Sequence, residues 1–342
     1  MKKVLIIGKY FGYSVGGAER SMLTYLENEK NEIHYLFFNN LKYYSAMDKK
    51  FSLSSEWKKY IINLPIDWLY FPFLESLING LILRNKINDI IQKNNITTVY
   101  TYGCYSVFLG LLNFNQEVKI FIRDEVGLGI FKNYKTGIRY IIYYPYKIIN
   151  QLCILIWMGI LSRANNCSVV YNSNFMKKLG ESRFFFKKLQ SEVIIPNINF
   201  DKLRLNYISN INKKNKKYIV FFGDSDQKGI NIFLSLTKTF PNENFLHAGS
   251  GNKKFMRKNI MVIDNKLPGW IYSRCKLLIV PSQWMEAYGR VVAEAAALNI
   301  PTIASKIGGI EESASSNTIL IENYKDFSEW KKEVQTFLKM NN

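Results

Sequence analysis

The chain has only two histidines and four cysteines in 342 residues, and the cysteines, at 104, 153, 167 and 275, form no C-x-x-C pair. With His34 and His247 as the sole imidazoles, neither a Cys/His metal cluster nor an H-E-x-x-H helix can be built. Cysteine usage of this kind fits a reduced, cytosolic chain, and no metal site is expected. Long hydrophobic runs are missing as well. The start, MKKVLIIGKYFG, is charged, but VLII is far too short for a signal peptide and reads as a first strand. The most apolar segment, residues 138–161, is interrupted by Arg139, Pro145, Lys147, Asn150 and Gln151, and its unbroken tail, 152–161, covers about half a membrane span. Its Tyr and Trp residues with flanking cations suit either a helix lying at a membrane interface or an ordinary buried helix. Acids are scarce: 27 Asp and Glu against 46 Lys and Arg leave a net charge of +19. No zinc-finger spacing, RNA-recognition signature or basic heptad region accompanies that charge, so nucleic acid is not the expected partner. An anionic membrane surface and an anionic nucleotide ligand account for it, as does a general drift of composition toward Lys, Asn and Ile.

What is present is a regular alternation. Apolar runs at 4–7, 33–38, 97–102, 118–122 and 168–171 recur in the second half at 218–222, 244–248, 261–264 and 277–280. Between them, segments such as 18–26, 82–91 and the stretch from Arg290 have helical spacing. Alternation of this kind gives an α/β protein with a parallel doubly wound sheet in each half and ligands at the carboxyl ends of the strands. The length fits two domains of about 150 to 180 residues. We place them at 1–195 and 196–325, with residues 206–217 a polar, cationic loop and 326–342 a final helix. The first strand runs into Gly8, Gly12, Gly16 and Gly17, and GGAER, residues 16–20, opens a helix whose N–H groups can face an anion. The strand at 118–122 delivers Arg123, Asp124 and Glu125 to the same edge of its sheet.

The most informative stretch is LLIVPSQWMEAYGRVVAEAAALNIPTIASKIGGIEE, residues 277–312. A buried strand breaks at Pro281-Ser282 into a polar turn carrying Glu286, and Gly289 precedes a helix on whose first turns Glu294 lies. Two carboxylates with seven residues between them can thus face one space, one from a loop and one from a helix, with the helix start offering N–H groups to a diphosphate.

This stretch resembles the signature of the retaining glycosyltransferases of family 4, whose motif is a Glu, seven residues and a second Glu. The resemblance implies the GT-B fold, two Rossmann-like domains facing a central cleft. It implies an amino-terminal acceptor domain, a carboxyl-terminal nucleotide-sugar domain and a last helix that returns to the amino-terminal domain. It also implies that Glu286 meets the donor sugar, that Tyr288, Gly289, Arg290 and Val291 pass the diphosphate on their backbone, and that Glu294 holds the ribose. Gly16 and Gly17 match the family's first loop, and Lys228, in FFGDSDQKG, matches its diphosphate lysine. Two positions depart from the pattern. Asp224 stands where an arginine is usual, with Arg274 the candidate to compensate, and Arg123-Asp124 replaces a His-Asp pair at the sugar, making Asp124 the expected contact.

The implied activity is hexosyl transfer, with retention, from a nucleotide-diphosphate sugar to a glycan or lipid-linked glycan hydroxyl, in synthesis of capsule, O-antigen or another surface polysaccharide. No metal or other cofactor is expected, and the place of action would be the cytoplasm or the inner face of the cytoplasmic membrane. Two other readings stand beside it: a nucleotide-sugar epimerase or hydrolase on the same fold, and a non-catalytic basic protein for membrane or nucleic acid with a degraded donor site.

Overall fold

The computed structural model describes residues 2–8, 22, 25–27, 29–38, 54–66, 72–102, 115–124, 128, 145, 148–149, 152–154, 156, 166–183, 186–196, 198–210, 216–249, 257–263 and 268–341. The chain divides into two compact units, Met1–Asn197 and Ile198–Asn342. Each is built on a parallel sheet, so the expected α/β, doubly wound class holds for both.

Unit 1 has strands β1 (Lys3–Ile7), β2 (Glu32–Phe38), β3 (Lys58–Ile62), β4 (Thr98–Tyr102), β5 (Glu117–Ile122), β6 (Cys167–Tyr171) and β7 (Gln190–Val193), with helices α1 (Pro72–Lys93) and α2 (Asn174–Glu181). The sheet order is β3-β2-β1-β4-β5-β6-β7, every pair parallel. The inner strands read as unbroken apolar runs because both of their faces are covered. The two edge strands do not: β3 buries only Ile62 and β7 is polar, which is why neither is visible as an apolar run. Helix α1 begins ten residues before the apolar spacing at 82. Its first turns bury Glu75, Ser76 and Asn79, and the Asn79 amide bonds both the N–H and the carbonyl of Ile66 at 2.9 and 2.7 Å. Buried polar groups of this kind, satisfied by hydrogen bonds, erase the hydrophobic period without weakening the helix.

Unit 2 has α3 (Phe200–Asn210), β8 (Tyr218–Phe222), α4 (Ile230–Thr239), β9 (Asn244–Ala248), β10 (Ile260–Ile263), α5 (Pro268–Tyr272), β11 (Cys275–Val280), α6 (Arg290–Ala297), β12 (Thr302–Ser305), α7 (Ile310–Ser313), β13 (Thr318–Ile321) and α8 (Phe327–Asn341). The sheet order is β10-β9-β8-β11-β12-β13, again all parallel. Alternate side chains of β8 and β11 feed two cores. Ile219, Phe221, Leu277 and Ile279 face α4 and α8, while Val220 and Leu278 face α3, α5 and α6.

One expectation is corrected here. Residues 206–210 are not loop: they finish α3, which buries Leu203 and Tyr207 one turn apart and lies against Gly269 of α5. In the final helix, Trp330, Val334 and Leu338 sit in the core that α4 and the β8 and β11 faces build, so its apolar stripe is buried in unit 2. Of residues 138–161 few are described; Ile148, Ile149, Leu152 and Ile156 are exposed, while Cys153 and Ile154 are buried. Among the described residues no helix is long and apolar enough to cross a membrane.

Trp330 has 0% exposure and donates its indole N–H to the Tyr324 carbonyl at 2.9 Å. Trp330→Ala therefore loses a large buried side chain, and denaturant unfolding is expected to show a loss of about 3–5 kcal/mol. A loss below about 1 kcal/mol would mean that α8 is peripheral to this core.

Candidate functional site

In a doubly wound sheet, ligands bind beyond the carboxyl ends of the strands where the strand order reverses. In unit 2 that reversal lies between β8 and β11, and in unit 1 between β1 and β4. The loops after β8 and β11 are stitched together, with Gln283 N–H donating to the Gln227 carbonyl at 2.8 Å. Both carry expected site residues.

Glu286 lies on the β11 loop. Its backbone forms a parallel bridge with Gly308, beyond β12, and its carbonyl accepts from Gly309 N–H at 2.7 Å. Gly308 has φ +65°, and a Cβ there would lie 2.3 Å from the Glu286 carbonyl oxygen, so only glycine allows this approach. The carboxylate is mostly buried and both of its hydrogen bonds fall on Oε1: Lys228 Nζ at 2.6 Å and Ser282 Oγ at 2.7 Å. Ser282 is fully buried at the end of β11, whereas Lys228 is 43% exposed and ends the short turn that Ser225 caps. The lysine and the carboxylate thus neutralise each other at the mouth of the crevice.

Gly289 caps α6 in the left-handed region, φ +83°, with no side-chain cap. The helix's own ladder begins with Val292 and Ala293 N–H returning to the Gly289 carbonyl at 2.9 and 3.2 Å. The amides before them, at Arg290 and Val291, therefore point off the helix end, as the start of any α-helix requires. Glu294 sits one turn further on. Its Oε2 accepts from the buried Tyr272 hydroxyl at 2.9 Å and its Oε1 is 3.6 Å from the Arg290 guanidinium. Tyr288 is half-buried against the same core, and burial, followed by the Glu312 charge, pushes its phenol above the ordinary value.

Lys228, Glu286, Tyr288, Gly289, Arg290, Val291 and Glu294 thus occupy one end of the unit 2 sheet. The departures look different in three dimensions. Asp224 sits 3.1 Å from the imidazole Nε2 of buried His247, which is also 2.7 Å from the Gly223 carbonyl. Arg274 cannot compensate from where it is. It precedes β11, at the amino edge of the sheet, where it stacks on Trp270 at 3.8 Å and donates to the Trp270 carbonyl at 3.1 Å. Its position before the strand already marks the wrong edge. Asp124 is in unit 1, exposed just past the carboxyl end of β5. Gly16 and Gly17 lie outside the described residues. Ser282, Tyr272 and Gly308 are not among the expected site residues, although Ser282 lies at the strand break and the Gly308-Gly309 pair signals a close backbone approach.

Unit 2 is thus a parallel-sheet unit with a carboxylate pair and a helix start at its switch point, where ligands of doubly wound domains bind. Residues 206–342 match the family described as Glycosyl transferases group 1, so unit 2 contains a domain of that group. A protein of Klebsiella pneumoniae, described as an uncharacterized 42.6 kDa protein in cps region, is 23% identical over 365 residues, spanning 95% of this chain and 91% of its own. Among solved structures, Anabaena Alr3699/HepE in complex with UDP-glucose is similar with a TM-score of 0.66 and 14% identity, covering 100% of this chain and 91% of its own. A glycosyltransferase from Rickettsia africae is similar with a TM-score of 0.65 and 15% identity, covering 100% of this chain and 89% of its own. The chain therefore has the two-unit α/β fold of these solved structures.

Gly308→Ala is expected to lower unfolding free energy by about 1–3 kcal/mol, because it combines a left-handed backbone with a clash on Glu286. A denaturation midpoint equal to wild type would show that the Glu286 segment has room to move.

Proposed function

We propose that the chain is a retaining hexosyltransferase that uses a nucleotide-diphosphate sugar as donor. The observation that carries this reading is the grouping of Lys228, Glu286, the α6 start and Glu294 at the switch point of a Glycosyl transferases group 1 domain. The nucleoside ribose lies against Glu294 and the diphosphate over the amides at Arg290 and Val291, with Lys228 on a phosphate oxygen. When the diphosphate arrives, Lys228 is shared with it or leaves Glu286, whose carboxylate then accepts from the sugar hydroxyls while Ser282 keeps its other contact. The bond from the anomeric carbon to the phosphate oxygen breaks, and a bond to the acceptor oxygen forms on the same face. The acceptor's proton goes to the departing phosphate, so no separate base is required. The protein contributes position and a fixed positive potential at the leaving group. Lys228 and the helix dipole fill that role without a metal ion.

The acceptor is a glycan or lipid-linked glycan, and the process is cell-surface polysaccharide synthesis; the Klebsiella pneumoniae relative in a cps region supports this part. Work on such acceptors at the cytoplasmic face of a membrane agrees with the net charge of +19 and with the exposed Ile148, Ile149, Leu152 and Ile156. Cosedimentation with phosphatidylglycerol vesicles is expected at low salt and not with neutral vesicles; equal partition to both would remove the charge from the argument.

Glu294→Ala is expected to weaken nucleoside diphosphate binding about tenfold or more, from loss of charge-assisted hydrogen bonds. Glu286→Ala is expected to leave nucleotide affinity within a few-fold and to lower turnover about a hundredfold, as loss of one positioned charged contact does. Calorimetry and steady-state transfer separate the two effects, and wild-type binding and turnover in both variants would take the carboxylates out of the site.

A further inference from the structure

We infer that Tyr272 is a positioning residue: its hydroxyl orients Glu294 and thereby sets how strongly the site recognises ribose. This rests on the proposed nucleotide site. Tyr272 ends α5 and is fully buried, its ring 5.4 Å from that of Phe222 in the core beneath α6. A phenylalanine would fill this apolar space equally well, so packing does not call for the oxygen. The hydroxyl has two acceptors in reach, both on α6: Glu294 Oε2 at 2.9 Å and the Val291 carbonyl at 3.3 Å. It has one proton to give, and the shorter, charged acceptor takes it. Burial, then the Glu294 charge, pushes the phenol well above its ordinary value, so it stays protonated and remains a donor.

Glu294 needs such an anchor because of where it sits. Its other oxygen is 3.6 Å from Arg290, four residues back on the same helix, an arrangement that draws the carboxylate toward the helix start. A ribose presents two adjacent hydroxyls, and a carboxylate receives both only when its plane is fixed. The tyrosine supplies that constraint from below, from a different element, through the core. Glu286 has a parallel arrangement, with buried Ser282 on Oε1.

The test compares wild type, Tyr272→Phe, Glu294→Ala and the double variant. Calorimetry would use UDP, GDP and ADP, the 2′,3′-dideoxy form of whichever binds best, and inorganic pyrophosphate, with melting temperatures checked in parallel. Tyr272→Phe is expected to weaken the ribonucleotide about tenfold and to leave pyrophosphate within twofold. The ratio of ribo to dideoxy affinity should fall toward that of Glu294→Ala, and the double variant should bind no worse than Glu294→Ala alone. That ratio is insensitive to the fraction of protein folded, so a purely structural role would not move it. An unchanged ratio in Tyr272→Phe, or additive losses in the double variant, would overturn the inference while leaving the nucleotide site standing. Wild-type ribose preference in Glu294→Ala, or no binding by the wild type, would instead overturn the nucleotide reading and this inference with it.

Discussion

A carboxylate as enclosed as that of Glu286 has to be paired, and here it is paired with Lys228 and Ser282. An unpaired charge at this depth would cost several kcal/mol or take up a proton. Much of the surrounding structure serves the pairing. The loops after β8 and β11 are joined so that Lys228 arrives from one and Glu286 from the other. The chain beyond β12 closes on the Glu286 backbone at Gly308, where no side chain fits. Lys228 and Glu286 therefore offset each other's charge, and in the proposed site a diphosphate would compete with a carboxylate for the same ammonium group. That competition favours ligands bringing both an anion for Lys228 and hydroxyls for Glu286, which a nucleotide sugar does.

The helix start beside this pair works by geometry more than by side chains. Gly289 in the left-handed region lets α6 begin with its amides turned outward, and no side chain caps them. The first turn of α6 is tied to α5 through Tyr272, which reaches both Val291 and Glu294. The proposed anion and ribose contacts thus share one short helix whose orientation the core fixes from beneath. Asp224, where a cation would be expected, lies instead against His247 of β9, so in the proposed site the positive potential falls to Lys228 and the helix dipole.

Much of this was legible in the sequence, and the parts that were not have physical reasons. Buried parallel strands are apolar on both faces, so β1, β2, β8 and β11 stand out as runs. The edge strands β3 and β7 are half solvated and do not. The start of α1 is masked by buried Glu75, Ser76 and Asn79, whose hydrogen bonds substitute for apolar contacts. The carboxylate spacing and the glycine before α6 are local and were readable in order. What local spacing cannot give is direction across the fold. It offered Arg274 as a compensating cation although that residue is at the opposite edge of the sheet. It gave no hint of Tyr272, 22 residues from the carboxylate it holds.

The central claim is a donor site that binds a nucleoside diphosphate through Lys228, the α6 start and Glu294 without a metal. The most direct measurement is a thermal-shift panel of UDP, GDP, ADP and CMP with their common sugar conjugates, all in EDTA. A ligand at about a hundred times its dissociation constant adds roughly 2.7 kcal/mol of stability. The account predicts that one diphosphate series raises the melting temperature in EDTA and that Glu294→Ala abolishes most of the rise. No stabilisation by any member of the panel, or stabilisation only after a divalent ion is restored, would contradict it.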